Sequence, residues 1–246
     1  MNMYRILFFL SICGWLAASC SSPSENTSET NEENSPAETT PSSAESDWTV
    51  LFDGSGLDAW RNYKSDSVAW RVEDGALNTT GGSGDLITKE TFGNFELEFD
   101  WRITEGGNSG VIYLAQESDE YNSTYETGPE YQLIDDKSYG TVHNVELEKN
   151  QMSGANYALD EPQNVQLKPL GEYNQSKIVV NEGHVEHWLN GQKVVEYDLW
   201  TDEWNARVAE TKFKDMPDYG KSKSGHIALQ DHGDPVWFKN IRIRRL

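Results

Sequence analysis

Cysteine is nearly absent from this 246-residue chain, and both occurrences, Cys13 and Cys20, fall within the first 20 residues. Nothing downstream can form a disulfide or a cysteine-ligated zinc site, so stability has to come from burial of apolar surface. Long hydrophobic runs are equally scarce. The one present, Ile6 to Leu16, is well short of the roughly 20 residues that a membrane-spanning helix needs. Basic residues are in deficit, 20 Lys and Arg against 41 Asp and Glu, for a formal net charge of −21. So acidic a surface repels phosphate backbones, which argues against nucleic acid and fits a neutral partner such as a carbohydrate. The sequence has no internal repeat, no Gly-rich phosphate loop and no Gly-x-Ser-x-Gly elbow, which disfavours nucleotide chemistry and serine hydrolysis.

What the N-terminus does carry is a secretory pattern: a basic start ending at Arg5, the apolar run, then Ala17-Ala18-Ser19 before Cys20. The stretch LAASC resembles the bacterial lipoprotein box, although Ala17 stands where a larger aliphatic residue is commoner. The resemblance implies a signal peptide over 1–19, acylation of Cys20, and a lipid-anchored place in the bacterial cell envelope, at the outer membrane on its periplasmic or surface side. Residues 20–46 follow with six Glu, no Lys or Arg and almost nothing apolar, a composition that cannot bury enough surface to fold. An acidic, self-repelling tether is expected there. Setting aside Arg5 and the six tether glutamates leaves 19 basic and 35 acidic residues, a net charge of −16, on 47–246. That length suits one β-rich domain with a sizeable core.

Strand signals dominate the domain. FELEFDWRI alternates Phe95, Leu97, Phe99 and Trp101 with Glu96, Glu98, Asp100 and Arg102, the period of a sheet with one packed face. KIVVNEGHVEHWLNGQKVVEY contains the turns Asn181-Glu182-Gly183 and Asn190-Gly191, predicting a three-strand antiparallel meander. Further strands are predicted at 67–72, 76–79, 109–115, 130–134, 226–230 and 236–244. One helix is predicted from Asp202 to Lys212, with Thr201 as cap and Asp202 and Glu203 in the first turn. Many short strands and one short helix indicate an all-β jelly-roll sandwich of two antiparallel sheets.

Six blocks, LFDGSGLDAW, GNSGVIYL, ETGPEYQLID, KPLGEYNQSKIVV, VEHWLNGQKV and GHIALQDHGDPVWFKNIRIRRL, together resemble the bacterial 3-keto-disaccharide hydrolase family over essentially all of 47–246. The resemblance implies a concanavalin-like jelly roll that handles oxidised sugars. GPEYQLIDD is also similar to the Glu-x-Asp-x-(x)-Glu strand of laminarinase-type glycosidases, but Gln132 replaces the middle acid and Asp135 the last. A retaining glycosidase needs two carboxyls about 5–5.5 Å apart, so that chemistry is incomplete here.

The candidate residues follow from strand parity. Glu130 and Gln132 share one face, with Tyr131 and Leu133 on the other, and Asp135 joins Glu130 only through a bulge. In HIALQDHG, Ile227 and Leu229 face the core, which leaves His226, Gln230 and His232 opposite. His232 suits a general acid or base near neutral pH. His187 alternates with Val185 and Leu189, the pattern of a core position, and is kept as a catalytic candidate through the VEHWLNG block alone. Lys168, before Pro169, is a candidate oxyanion stabiliser. Asn108 lies in a Gly-flanked turn open to a ligand, and Tyr131 and Trp188 are candidate platforms for sugar rings. A divalent metal is left open, either on Glu130 and His232 with another ligand, or as structural calcium on Asp53, Asp58 and Asp234. Two functions remain: cleavage of 3-keto-glycosides by C2 proton abstraction, elimination and hydration, or lectin-like binding without a base.

Cys20→Ala is expected to release the protein from membranes while leaving the domain folded, because stable anchoring takes more than one acyl chain. Fractionation of cells expressing the variant tests this, and continued membrane partition would refute the anchor.

Overall fold

The computed structural model describes residues 47–246; the leader, Cys20 and the tether lie outside the described residues. Thirteen strands are formed among the described residues. They are β1 (Thr49–Phe52), β2 (Trp60–Asn62), β3 (Arg71–Glu73), β4 (Ala76–Thr79), β5 (Leu86–Thr88), β6 (Phe95–Ile103), β7 (Asn108–Ala115), β8 (Glu130–Ile134), β9 (Asn174–Asn181), β10 (His184–Leu189), β11 (Gln192–Asp198), β12 (His226–Leu229) and β13 (Val236–Arg245). Two short helices, α1 (Tyr139–His143) and α2 (Asp202–Ala209), sit in the connections.

The strands form two antiparallel sheets. An eight-stranded sheet runs β11-β10-β9-β6-β13-β4-β3, with β1 also on β13, and a five-stranded sheet runs β2-β5-β12-β7-β8. The meander is present as β9, β10 and β11, with Asn190 and Gly191 both at positive φ in the second turn, the backbone that an Asn-Gly hairpin supplies at least cost. Phe95, Leu97, Phe99 and Trp101 of β6 point into the core, as do Val111 and Tyr113 of β7, Tyr131 and Leu133 of β8, and Ile227 and Leu229 of β12.

Departures from the sequence reading have local causes. The strand predicted at 67–72 is confined to β3, because Ser67 and Ala69 are held as a loop: Asn62 N donates to Ser67 O and Ala69 N to Asn62 Oδ1. β1, β2, β5 and α1 are too short to show a period. The predicted helix divides. α2 is capped where expected, Thr201 Oγ1 accepting from Trp204 N at 3.1 Å, but it ends at Ala209. A separate 3₁₀ turn, Lys212–Asp215, begins at its own cap, Thr211 Oγ1 accepting from Phe213 N.

His187 lies wholly within the core, so its candidacy as a catalyst is overturned. Its Nδ1 is 3.0 Å from Gly154 O, and its Nε2 is 2.9 Å from the Tyr113 hydroxyl, which also meets the Tyr197 hydroxyl. A carbonyl only accepts, so Nδ1 carries the proton and Nε2 accepts from Tyr113. Tyr131 is buried beside it, its hydroxyl bonded to Ser176 Oγ and Trp188 O. Ring packing and hydroxyl satisfaction account for Tyr131, which no ligand can reach as a platform.

Burial pushes the His187 imidazole down to about 4, against the weaker upward pull of the Gly154 and Ala155 carbonyls. The unfolded chain takes up this proton near pH 6.5 and the folded chain only near 4, so stability is complete above 6.5 and falls as pH drops toward 4. His187→Gln is expected to be less stable at pH 7 by about 1–3 kcal/mol, yet to lose less on acidification than the wild type. Urea unfolding of both proteins between pH 7 and 4 measures the difference, and parallel pH dependences would refute the buried neutral imidazole.

Candidate active site

On the outer face of the five-stranded sheet, strand pairing places Gly110 beside Gln132 and Ile112 beside Glu130, with Ala228 on the other side of Ile112. Connections cover this face. The 3₁₀ turn Thr124–Glu126 brings Tyr125, the segment after β8 brings Tyr157, and the turn after α2 brings Lys212, Phe213 and Met216. Between sheet and cover lies a pocket of about 370 Å³ lined also by Asn108, Glu130, Gln132, Gln230 and His232. Five of the residues singled out from sequence thus meet in one place.

Glu130 is only 6 % exposed. Its carboxyl lies over Gly110, where an added Cβ would collide with Oε1 and Cδ. A glycine in mid-strand normally weakens a sheet; here it makes room for the carboxyl. Burial pushes the Glu130 pKa up to about 8, opposed by the Lys212 ammonium and assisted by Asp85. Among the residues lining the pocket Glu130 is the sole carboxylate, so the flanking pair of a retaining or inverting glycosidase is missing. Lys212 is half-buried, with Nζ 4.2 Å from the Tyr157 ring centroid and 5.2 Å from that of Phe213. Burial lowers its pKa, and Glu130 pulls the other way.

The QDHG motif sets the far wall. Gln230 N donates to Gly110 O and Ser109 Oγ to Gln230 O, which ties the segment to β7. Asp231 turns away and accepts from Ser83 N, Gly84 N and Gly233 N, holding the loop after β4. Asp85 accepts from Asp231 N and Thr124 Oγ1. His232 is left at the pocket between these anchors.

Three buried amide oxygens in this wall, Asn108 Oδ1, Gln132 Oε1 and Gln230 Oε1, have no partner among the described residues. A buried acceptor left unmet costs about 1–3 kcal/mol, so three in one pocket mark where ligand donors belong.

The remaining candidates lie elsewhere. Asp135 accepts from Gly106 N and Lys137 N, and with Lys168 it lines a separate hollow of about 210 Å³. The bulge needed to bring it beside Glu130 does not form, and Lys168 cannot stabilise an oxyanion at Glu130. Trp188 belongs to the outer face of the eight-stranded sheet, its indole donating to Glu186 and its ring beneath Lys177. A larger hollow there, about 670 Å³, has its polar groups already matched: Arg242 with Glu98 and Asn240 with Asp100. Asp53, Asp58 and Asp234 do not gather as a metal site. Among the described residues three suitable ligands converge only at His184, Glu186 and Glu196, where Lys193 holds both carboxylates.

Sequence reasoning missed Lys212, Tyr157, Tyr125, Phe213 and Met216. All are in connections that have no period, although the second cap at Thr211 signals a new turn presenting Lys212.

Residues 47–244 match the 3-keto-alpha-glucoside-1,2-lyase-like domain. The chain belongs to that family. A relative from Bacteroides thetaiotaomicron named 3-keto-disaccharide hydrolase is 37 % identical over 230 residues, which cover 81 % of this chain and 78 % of the relative. Two solved structures of candidate glycosyl hydrolases from Parabacteroides distasonis share the fold. One is 40 % identical with a TM-score of 0.78, covering 82 % of this chain and 95 % of that one. The other is 27 % identical with a TM-score of 0.62, covering 81 % and 99 %. Membership of the lyase-like family makes the protein a carbohydrate-active enzyme of the glycoside hydrolase or lyase kind and sets aside the lectin-like alternative.

Because the folded-state pKa of Glu130 is raised, its contribution to stability is complete below about pH 4.5 and is lost as pH rises through 8. Glu130→Gln has no such loss. It is expected to be inactive by at least ~100-fold and, at pH 9, more stable than the wild type by up to about 3 kcal/mol. Urea unfolding at pH 5 and pH 9 checks this, and equal stability at pH 9 would return Glu130 to a solvated position.

Proposed function

We propose that this pocket cleaves glycosides already oxidised to a ketone at C3. The observation that carries the reading is the lone buried carboxyl of Glu130 beside an amine, without a second acid. Such a set is poorly suited to displacement at C1, which needs two carboxyls. It suits removal of an acidified hydrogen, which needs one base of pKa near the working pH. Glu130 takes the proton from C2. Lys212 lies beside the C3 oxygen, in the place that sequence reasoning gave to Lys168, and supports the developing enolate. The enolate expels the C1 aglycone, whose oxygen His232 protonates. Water then adds to the unsaturated sugar. The three unmet amide oxygens accept from sugar hydroxyls, and Tyr125 and Tyr157 flank the ring.

The same reading places the enzyme in the cell envelope, held through Cys20 and its tether, so that the substrate is met outside the cytoplasm. It rests on the leader pattern and the lipoprotein box.

A p-nitrophenyl glucoside and its 3-keto counterpart separate the mechanisms. The 3-keto compound is expected to release nitrophenol and to acquire solvent deuterium at C2 of the product, while the unoxidised glucoside stays intact. Equal cleavage of both, with no label at C2, would restore a conventional glycosidase.

A further inference from the structure

Lys212 is unlike the other lysines that lie near acids. Lys177 is paired with Glu96, Lys193 with Glu186 and Glu196, and Lys149 with Glu161. The Lys212 amine has instead two aromatic rings for neighbours, and the acid nearest its charge, Glu130, is itself kept protonated by burial. The side chain is also presented rigidly. Thr211 caps its turn, and Phe213 stacks on Tyr219 at 3.9 Å, Tyr219 on Trp204 and Trp204 on Tyr197 of β11. An ammonium meant only to steady an oxyanion works best fully charged. Burial lowers the basicity of this half-buried lysine, and two aromatic rings fix its amine in the pocket that Glu130 also lines, the setting of an amine that attacks carbonyls.

We infer that Lys212 is a nucleophile in this pocket: it condenses with the C3 ketone of the substrate, and the elimination runs through the resulting ketimine. The inference rests on the keto-sugar reading and deepens it.

The balance closes with one water consumed overall. The amine nitrogen adds to C3; Glu130, protonated at the outset, gives its proton to the carbinolamine oxygen, which leaves as water, so that a protonated C=N bond and a carboxylate remain. That iminium withdraws electrons from C2 more strongly than a ketone. Glu130 takes the C2 proton, and the C–H electron pair becomes the C2=C3 bond of an enamine. The nitrogen lone pair re-forms C=N, the C2=C3 pair shifts to C1=C2, and the C1–O bond breaks with its electrons on the aglycone oxygen, which receives a proton from His232. A water adds at C1, returning one proton to His232, and Glu130 returns its proton to C2. A second water hydrolyses the C=N bond, restoring the ketone and the free amine and returning the extra proton of the iminium to Glu130.

Trapping tests the step directly. The purified protein is incubated with the p-nitrophenyl 3-keto-glucoside and sodium cyanoborohydride, which reduces iminium ions in preference to ketones, and its peptides are mapped by mass spectrometry. The expected result is a stable secondary amine on the Lys212 peptide, carrying the sugar less one oxygen, together with irreversible loss of activity. Lys212→Arg keeps a cation but cannot condense; it is expected to give no adduct and to lose at least ~100-fold in kcat. Cleavage with C2 labelling but no adduct, or K212R activity within ~5-fold of wild type, overturns the nucleophile and leaves the keto-sugar reading standing. Failure of the wild type to cleave the 3-keto compound overturns both. If K212R does not fold, as judged by its melting transition, the adduct map of the wild type decides alone.

Discussion

The arrangement depends on a carboxyl group taken out of water. Glu130 sits on a strand interior, over a glycine, beneath a cover of loops, and no hydrogen bond or ion pair within the described residues neutralises it. A buried carboxylate is costly, so the group holds its proton to higher pH than a solvated acid. That cost is what makes it useful, since a base of pKa near 8 is much stronger than an ordinary glutamate. The rest of the site answers to it. Gly110 provides the space, Lys212 the opposing charge, and Asp85, itself raised by burial, adds a field of the same sign.

The two sheets divide the labour. Their facing sides hold the aromatic core and the His187–Tyr113–Tyr197 chain of hydrogen bonds, all satisfied internally. The outer side of the smaller sheet gathers three unsatisfied amide oxygens, of Asn108, Gln132 and Gln230, at one pocket. A polar network in the core specifies packing, whereas unmet acceptors at a pocket select a ligand. The column Tyr197, Trp204, Tyr219 and Phe213 links the two, running from β11 to the turn that presents Lys212.

Period two carried the sequence reading as far as a strand's own alternation reaches. It put Glu130 and Gln132 on one face, Gln230 and His232 on one face, and His187 among core residues; the structure lines one pocket with the first four and buries His187. It could not show which outer face was covered, because cover comes from connections that have no period. Trp188 looked like a platform for that reason: parity gives outward, but outward on the eight-stranded sheet is the wrong side of the molecule. Lys168 failed similarly, since Pro169 fixes its backbone and says nothing of its neighbours across the fold. Lys212 was legible only as the tail of a helix, which a second threonine cap divides. The leader and tether remain matters of composition alone.

Strand β13 lies between β6 and β4 and also carries β1, so the earliest and latest strands of the domain meet on it. A chain interrupted before Val236 therefore lacks the common neighbour of three strands and cannot assemble the larger sheet by halves. Pairings so distant in sequence are late to form. Until they do, β1, β4 and β6 lack their shared neighbour, and the strand edges that β13 will cover stay open to pairing with another chain.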